Sequence, residues 1–157
     1  MSRKYCLIVV DDKCFTGEAK DVTGEAIKKA MRRFGFDFEG KFLIPHNQEM
    51  VESALLHCAD NLKVPLILTF GGTGFSLRHQ VPEATKAVIT KEAPGIAEAI
   101  RSYALESSDL AMLNRGVAGI RNKSLIVNLP DGEKAAREAL EVCIETVKLG
   151  IDIMLGE

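Results

Sequence analysis

The sequence of 157 residues has no tryptophan, and aromatic side chains make up only 6% of it. Its four cysteines lack the Cys-x-x-Cys spacing of a zinc or redox motif. Three of them, Cys6, Cys58 and Cys143, stand in apolar segments, so we predict reduced thiols in the core. A chain of this length buries roughly 70% of the surface that its unfolded form exposes. Its core therefore needs neither disulfides nor metal, and the class of small disulfide-stabilised proteins is excluded.

A strong excess of charge is also missing, because 20 Lys and Arg stand against 22 Asp and Glu. The formal net charge of -2 gives no overall positive field, so we expect no nucleic-acid partner, and an anionic ligand would need a local site. No apolar run approaches the roughly 20 residues of a membrane span, and the apolar stretch near the N-terminus is too short for a signal peptide. We therefore expect a cytoplasmic protein without a membrane partner.

Apolar runs alternate along the chain with helical patterns. The predicted strands cover residues 5–10, 41–44, 64–70 and 124–129, and the predicted helices cover 25–34, 48–62, 82–90, 94–106 and 133 onward. Helices that join successive strands imply crossover connections, which predict a three-layer α/β fold with a mostly parallel sheet. No linker or repeat divides the chain, so we expect a single domain over residues 1–157. In such folds ligands bind beyond the carboxyl ends of the strands.

The third predicted strand is followed directly by the glycine-rich turn of residues 71–74. Several backbone N–H groups of such a turn can point at one anion without obstruction by Cβ atoms. Ser76 adds a hydroxyl group and Arg78 a guanidinium suited to phosphate. The turn fits neither the Walker pattern nor the GxGxxG pattern of dinucleotide-binding proteins. Phosphate binding and simple strand–helix packing both remain open from this motif alone.

The turn after the last predicted strand holds Asn128, Pro130 and Asp131. Proline fixes the backbone there, and Asp131 could cap the final helix. Asp12 and Asp21, near the end of the first strand, are either solvated loop carboxylates or ligand contacts. Spacing alone does not decide between these interpretations.

Two longer stretches carry a family resemblance. Residues 68–88, LTFGGTGFSLRHQVPEATKAV, and residues 115–135, RGVAGIRNKSLIVNLPDGEKA, resemble the two signature blocks of the molybdopterin-binding domain family. Residues 10–24 also resemble the first loop of that family, with Asp12, Thr16, Gly17, Asp21 and Gly24 in matching places.

The resemblance implies an enzyme of molybdenum-cofactor biosynthesis, a molybdopterin adenylyltransferase that transfers AMP from ATP to the phosphate of molybdopterin. It implies Mg²⁺ with ATP, molybdopterin as substrate, and a homo-oligomer, either a trimer or a hexamer. Carried over by position, the residues that bind substrate or nucleotide are Asp12, Thr16, Asp21, Gly71, Gly72, Thr73, Gly74, Ser76, Arg78, Asn128, Pro130 and Asp131.

Three positions depart from the family pattern. His46 and His79 stand where active members usually carry catalytic aspartates, and Asp131-Gly132 replaces Gly-Ser. Imidazole is a poor ligand for Mg²⁺, so the identity of any metal is open. The histidines could hold phosphate as cations, could ligate another metal, or could mark a protein that binds pterin without adenylylating it. Asp131 could replace a lost metal ligand or repel phosphate. The alternatives are therefore a catalytically impaired pterin-binding or scaffold protein, or an enzyme acting on another nucleotide.

Overall fold

The computed structural model describes residues 3–157 of the protein, so Met1 and Ser2 lie outside it. Six strands form one sheet in the order β2-β1-β3-β6-β5-β4. The elements are β1 (Lys4–Val10), α1 (Asp12–Thr16), α2 (Val22–Arg33), β2 (Asp37–Ile44), α3 (Gln48–Leu56), β3 (Leu66–Phe70), α4 (Val81–Val88), β4 (Lys91–Glu92), α5 (Pro94–Leu105), β5 (Ala118–Arg121), β6 (Ser124–Leu129) and α6 (Glu133–Leu155). Strands β2, β1, β3 and β6 run parallel, whereas β5 and β4 are antiparallel to their neighbours.

Helices cover both faces of the sheet, which confirms the predicted three-layer α/β class. Alternate side chains of the central strands enter two separate cores, because successive strand residues point to opposite faces. Leu7 and Leu68 pack against α2, α5 and α6, while Ile8 and Ile67 pack against α3 and α4. Cys6, Cys58 and Cys143 are buried free thiols, as predicted.

Several element boundaries differ from the prediction. The short strands β4 and β5 and the five-residue helix α1 were not predicted, since segments this short carry little periodicity. Strand β2 begins at Asp37 rather than at residue 41, and α3 gives way at His57–Asn61 to one turn of π-helix. A turn of 3₁₀-helix also forms at Asp109–Leu113. The predicted parallel sheet is therefore correct for four strands and incomplete at one edge.

The parallel strands bring three polar loops to one edge of the sheet. Strand β3 lies between β1 and β6, with Leu66 opposite both Tyr5 and Leu125, so the loops after all three strands emerge side by side. The loop after β2 emerges next to that of β1, where Val10 pairs with Ile44. No helix within residues 3–157 is both long and apolar enough to cross a membrane.

Candidate functional site

The glycine-rich loop after β3 is held tightly against the ends of the neighbouring elements. Gly71 has a φ angle of +91°, and a Cβ atom there would lie 2.4 Å from the carbonyl oxygen of Val10. Gly72 has a φ angle of +75°, and its Cβ would lie 2.6 Å from a methyl group of Val81. Both positions therefore require glycine, for backbone conformation and for space.

Arg115 fixes the same loop from the opposite side. Its guanidinium donates to the carbonyl oxygens of Gly74 at 2.9 Å and His79 at 3.0 Å, and it pairs with Glu83 at 2.7 Å. Its backbone N–H also donates to the carbonyl of Thr73 at 2.9 Å. Sequence reasoning did not single out Arg115, because its partners lie 32 to 41 residues away along the chain. We identify it as a positioning residue of the loop.

Thr73 and Asp131 connect the glycine-rich loop to the loop after β6, so the structure brings these two predicted loops together. The buried hydroxyl of Thr73 donates to Oδ1 of Asp131 at 3.2 Å, and its backbone N–H points at the same oxygen at 3.5 Å. The carboxylate of Asp131 therefore sits at the mouth of the loop, where its side chain is 42% exposed.

His46 and His79 lie against each other beside this loop. Their rings are stacked, with centroids 5.0 Å apart and planes inclined by 15°. Nδ1 of His79 accepts a hydrogen bond from the backbone N–H of Gly74 at 2.9 Å. Because only an unprotonated nitrogen accepts, this contact requires the neutral tautomer with hydrogen on Nε2.

The electrostatics around His46 also favour a neutral ring. Burial lowers the pKa of His46 below its ordinary value, and His79 and Arg78 lower it further against the opposing charge of Asp12. Nδ1 of His46 is buried without a hydrogen-bond partner among the described residues. The arrangement therefore disfavours the interpretation in which a cationic His46 holds phosphate near neutral pH.

Asp12 links the loops after β1, β2 and β3. Its carboxylate accepts the backbone N–H of His46 at 2.8 Å and pairs with the guanidinium of Arg78. These two contacts lower the pKa of Asp12. Arg78 is 67% exposed, so its charged end is engaged by a carboxylate while remaining accessible to solvent.

Two of the remaining predicted site residues stand at the end of β6. Asn128 is buried, where it donates to the hydroxyls of Thr69 and Thr85 at 2.9 and 3.0 Å and accepts from the N–H of Val117 at 3.1 Å. It therefore orders the core beneath the cleft. Pro130 is buried at the end of β6.

Three more predicted residues act near their own positions in the chain. Asp21 caps α2 through Gly24 and pairs with Lys41 at 2.9 Å. The hydroxyl of Thr16 donates to the carbonyl of Lys13 at 3.3 Å, within the turn that ends α1. The hydroxyl of Ser76 accepts from the backbone N–H of Arg78 at 3.3 Å.

A cleft of about 630 Å³ opens beside the glycine-rich loop. Its polar lining includes Thr73, Gly74 and Asp131 and, at the start of α6, Glu133, Lys134 and Glu138. The wall is formed by α5, the 3₁₀ turn and the start of α6, with Ile100, Tyr103, Leu110, Leu113 and Ala139 among its apolar residues. This combination suits a ligand that has an apolar body and polar groups.

The fold and this cleft define a three-layer α/β protein with a glycine-rich loop site at the carboxyl ends of its parallel strands. Residues 6–148 match the family described as probable molybdopterin binding domain, and the chain belongs to this family.

Relatives and solved structures agree with this assignment. Molybdopterin adenylyltransferase of Helicobacter pylori strain J99 is 35% identical over 155 residues, covering 96% of this chain and 86% of that protein. The protein of the same name from Escherichia coli K12 is 35% identical over 138 residues, covering 86% of this chain and 70% of that protein. The crystal structure of the molybdopterin biosynthesis enzyme MoaB from Thermus thermophilus superposes with a TM-score of 0.91 at 37% identity, covering 98% and 97% of the two chains.

Proposed function

We propose that the protein acts in molybdenum-cofactor biosynthesis, where it binds molybdopterin in the cleft and transfers AMP from ATP to the phosphate of the pterin. The observation that carries the proposal is the joining of a glycine-rich loop to a cleft of about 630 Å³ that both polar and apolar side chains line. The names of the adenylyltransferase relatives supply the reaction class.

The proposed reaction is a nucleotidyl transfer. An oxygen of the pterin phosphate attacks the α-phosphorus of ATP, the bond from that phosphorus to the bridging oxygen breaks, and pyrophosphate leaves with the bond's electron pair. Because the attacking phosphate is already anionic, no strong base is needed, and catalysis depends on alignment and charge stabilisation. In this chain Arg115 and the two close-packed glycines hold the loop in place, and Arg78 offers a guanidinium at the mouth.

The side chains beside the glycine-rich loop do not fit a protein-held Mg²⁺. That ion prefers oxygen ligands in octahedral geometry, whereas His46 and His79 supply imidazoles, one of which already accepts a backbone N–H. Asp12 is engaged by His46 and Arg78. Across residues 3–157 no group of three or more His, Cys, Asp and Glu side chains is arranged to hold a metal ion. We therefore expect turnover with Mg²⁺ and ATP to be slow or absent.

A second candidate is a molybdopterin-binding or scaffold protein that does not adenylylate its ligand. The stacked histidines favour it, because burial disfavours a charged His46 and Nδ1 of His79 already accepts the N–H of Gly74, so neither ring brings negative charge for a metal. Both candidates predict pterin binding, and they differ only in the chemical step.

The two candidates are separated by an adenylylation assay with purified protein, molybdopterin, ATP and Mg²⁺, in which pyrophosphate and adenylylated pterin are measured. The wild type is compared with the double variant His46→Asp, His79→Asp. The matched control is His57→Asp, since His57 lies on the π-helical turn and contacts Phe42 and Asn61 instead of the cleft. Binding without product, and a gain of product only in the double variant, would support the non-catalytic candidate. Brisk turnover by the wild type that persists in His46→Ala and His79→Ala would show that the reaction does not depend on these histidines. Absence of pterin binding would reject both candidates.

We also propose a cytoplasmic homo-oligomer, either a trimer or a hexamer. Apolar side chains beside the cleft are exposed, including Leu110 at 72% and Met112 at 64%, and association of copies would bury them. Light scattering of the purified protein measures the mass directly, and a monomer at micromolar concentration would reject this part of the proposal.

A further inference from the structure

The donors at the mouth of the glycine-rich loop are already used by side chains of this protein. The hydroxyl of Thr73 donates to Asp131, and the backbone N–H of Thr73 points at the same carboxylate oxygen. The backbone N–H of Gly74 donates to His79. A phosphate that bound to these three groups would have to displace both side chains.

The second oxygen of Asp131 extends further across the loop. It lies 3.8 Å from Nδ1 of His79 and 3.4 Å from the point where a Cβ of Gly74 would be. An incoming phosphate would therefore meet a carboxylate charge within a few ångströms, partly shielded from water by the loop. Like charges at such distances repel appreciably, and the repulsion weakens as ionic strength rises.

The carboxylate is held in this position but is able to leave it. The side chain of Asp131 is 42% exposed, and among residues 3–157 only the two groups of Thr73 donate hydrogen bonds to it. Rotation toward solvent would release those donors and move the negative charge away from the loop.

We propose that Asp131 determines the specificity of this cleft for anions, because its carboxylate occupies the phosphate position of the glycine-rich loop until a ligand displaces it. This inference rests on the proposed function, in which the loop receives a phosphate group. In addition, the carboxylate of Asp131 competes with that phosphate group for the donors of the loop. A ligand that also fills the apolar wall outcompetes Asp131, whereas a small inorganic anion binds weakly.

The test is titration calorimetry with inorganic pyrophosphate at pH 8 and low ionic strength, with Asp131→Asn, Asp131→Ser and Asp131→Glu compared with the wild type. Asparagine removes the charge, serine removes both the charge and the occupying group, and glutamate keeps the charge. The matched control is Glu141→Gln, which removes one negative charge from an exposed position further along α6.

We expect the asparagine variant to bind pyrophosphate about fivefold to tenfold more tightly than the wild type does. The serine variant should bind pyrophosphate at least as tightly as the asparagine variant. The glutamate variant and Glu141→Gln should show no such gain, and added salt should reduce the difference. ATP and molybdopterin, titrated into the same variants, distinguish which ligand presents its phosphate to the loop.

Two results would overturn the inference while leaving the proposed function in place. One is wild-type binding of ATP or molybdopterin with unchanged or weaker pyrophosphate binding in the asparagine and serine variants. The other is an equal gain in Glu141→Gln, which would show a general charge effect. If no variant binds any of the three ligands, the proposed function and the inference fail together.

Discussion

Replacement of Arg115 by alanine tests whether the glycine-rich loop depends on a single guanidinium. The substitution removes hydrogen bonds to the carbonyls of Gly74 and His79 and an ion pair with Glu83. The backbone of residue 115 keeps its own N–H bond to Thr73, so the loop loses side-chain support while its connection to the neighbouring segment persists.

The expected loss of stability follows from those contacts. The side chains of Arg115 and Glu83 are 32% and 38% exposed, so their ion pair contributes no more than about 1 kcal/mol after screening by solvent. The two bonds from a charged donor to partly buried carbonyls contribute more, and together we expect a decrease of about 2–3 kcal/mol in the free energy of unfolding. For a chain of this length such a loss lowers Tm by roughly 4–12 °C.

Chemical denaturation and hydrogen exchange measure the two parts of this prediction. The free energy of unfolding is compared for Arg115→Ala, Arg115→Lys and Glu83→Gln, with Arg137→Ala as the control, because Arg137 is exposed on α6. Lysine offers one compact charged group in place of the planar fork, so it should restore only part of the loss. Amide exchange in residues 71–80 should accelerate in the alanine variant.

The reasoning is refuted if Arg115→Ala costs no more than Arg137→Ala, or if exchange in residues 71–80 is unchanged. A loss in Glu83→Gln as large as that in Arg115→Ala would show that the ion pair, rather than the contacts to the loop carbonyls, supplies the stability. The double variant of Arg115 and Glu83 then gives the coupling between the two side chains.

Three further predictions concern the same edge of the sheet. Because burial keeps the pKa of His46 below its ordinary 6.5, the unfolded chain takes up a proton first as pH falls. The free energy of unfolding of the wild type should therefore decrease below about pH 6.5 relative to that of His46→Gln, measured by denaturation at a series of pH values. Parallel curves for the two proteins would contradict this. Arg78→Ala should weaken ATP binding by roughly 1–3 kcal/mol in calorimetry. Asp12→Asn removes the charged partner of Arg78 and should strengthen ATP binding. Equal ATP affinities in the wild type and both variants would show that Arg78 does not belong to the site. Gly71→Ala should lower the free energy of unfolding by more than roughly 2 kcal/mol, and Gly17→Ala by about 1 kcal/mol. Both residues have positive φ, but only Gly71 lacks room for a Cβ. Similar losses in the two variants would show that the close contact with Val10 is relieved easily.

The sequence predicted the layers and the position of the glycine-rich loop because those features depend on local patterns. Apolar runs such as 5–10 and 64–70 identify buried strands, and helices between them dictate parallel pairing. Strands β4 and β5 escaped prediction since they span two and four residues and owe their conformation to pairing with β6 and with each other. The amide of Asn128 has three partners, the hydroxyls of Thr69 and Thr85 and the N–H of Val117, and no spacing rule reveals these contacts.

Local sequence patterns could not predict which partner each donor at the mouth of the loop binds, and the reason is physical. Parallel pairing places the ends of β3 and β6 side by side and thereby brings residues 73 and 131 to the same edge, although they are 58 positions apart. Whether a hydroxyl or an N–H there faces solvent or a side chain depends on rotamers that form only once both loops are closed. The glycine spacing thus predicts a cradle of donors, and the neighbouring Asp131 and His79 decide how much of it a ligand meets unoccupied. For this reason a substitution next to a glycine motif changes what the motif binds, although the motif itself stays the same. The pyrophosphate titration measures this effect by changing the charge at position 131.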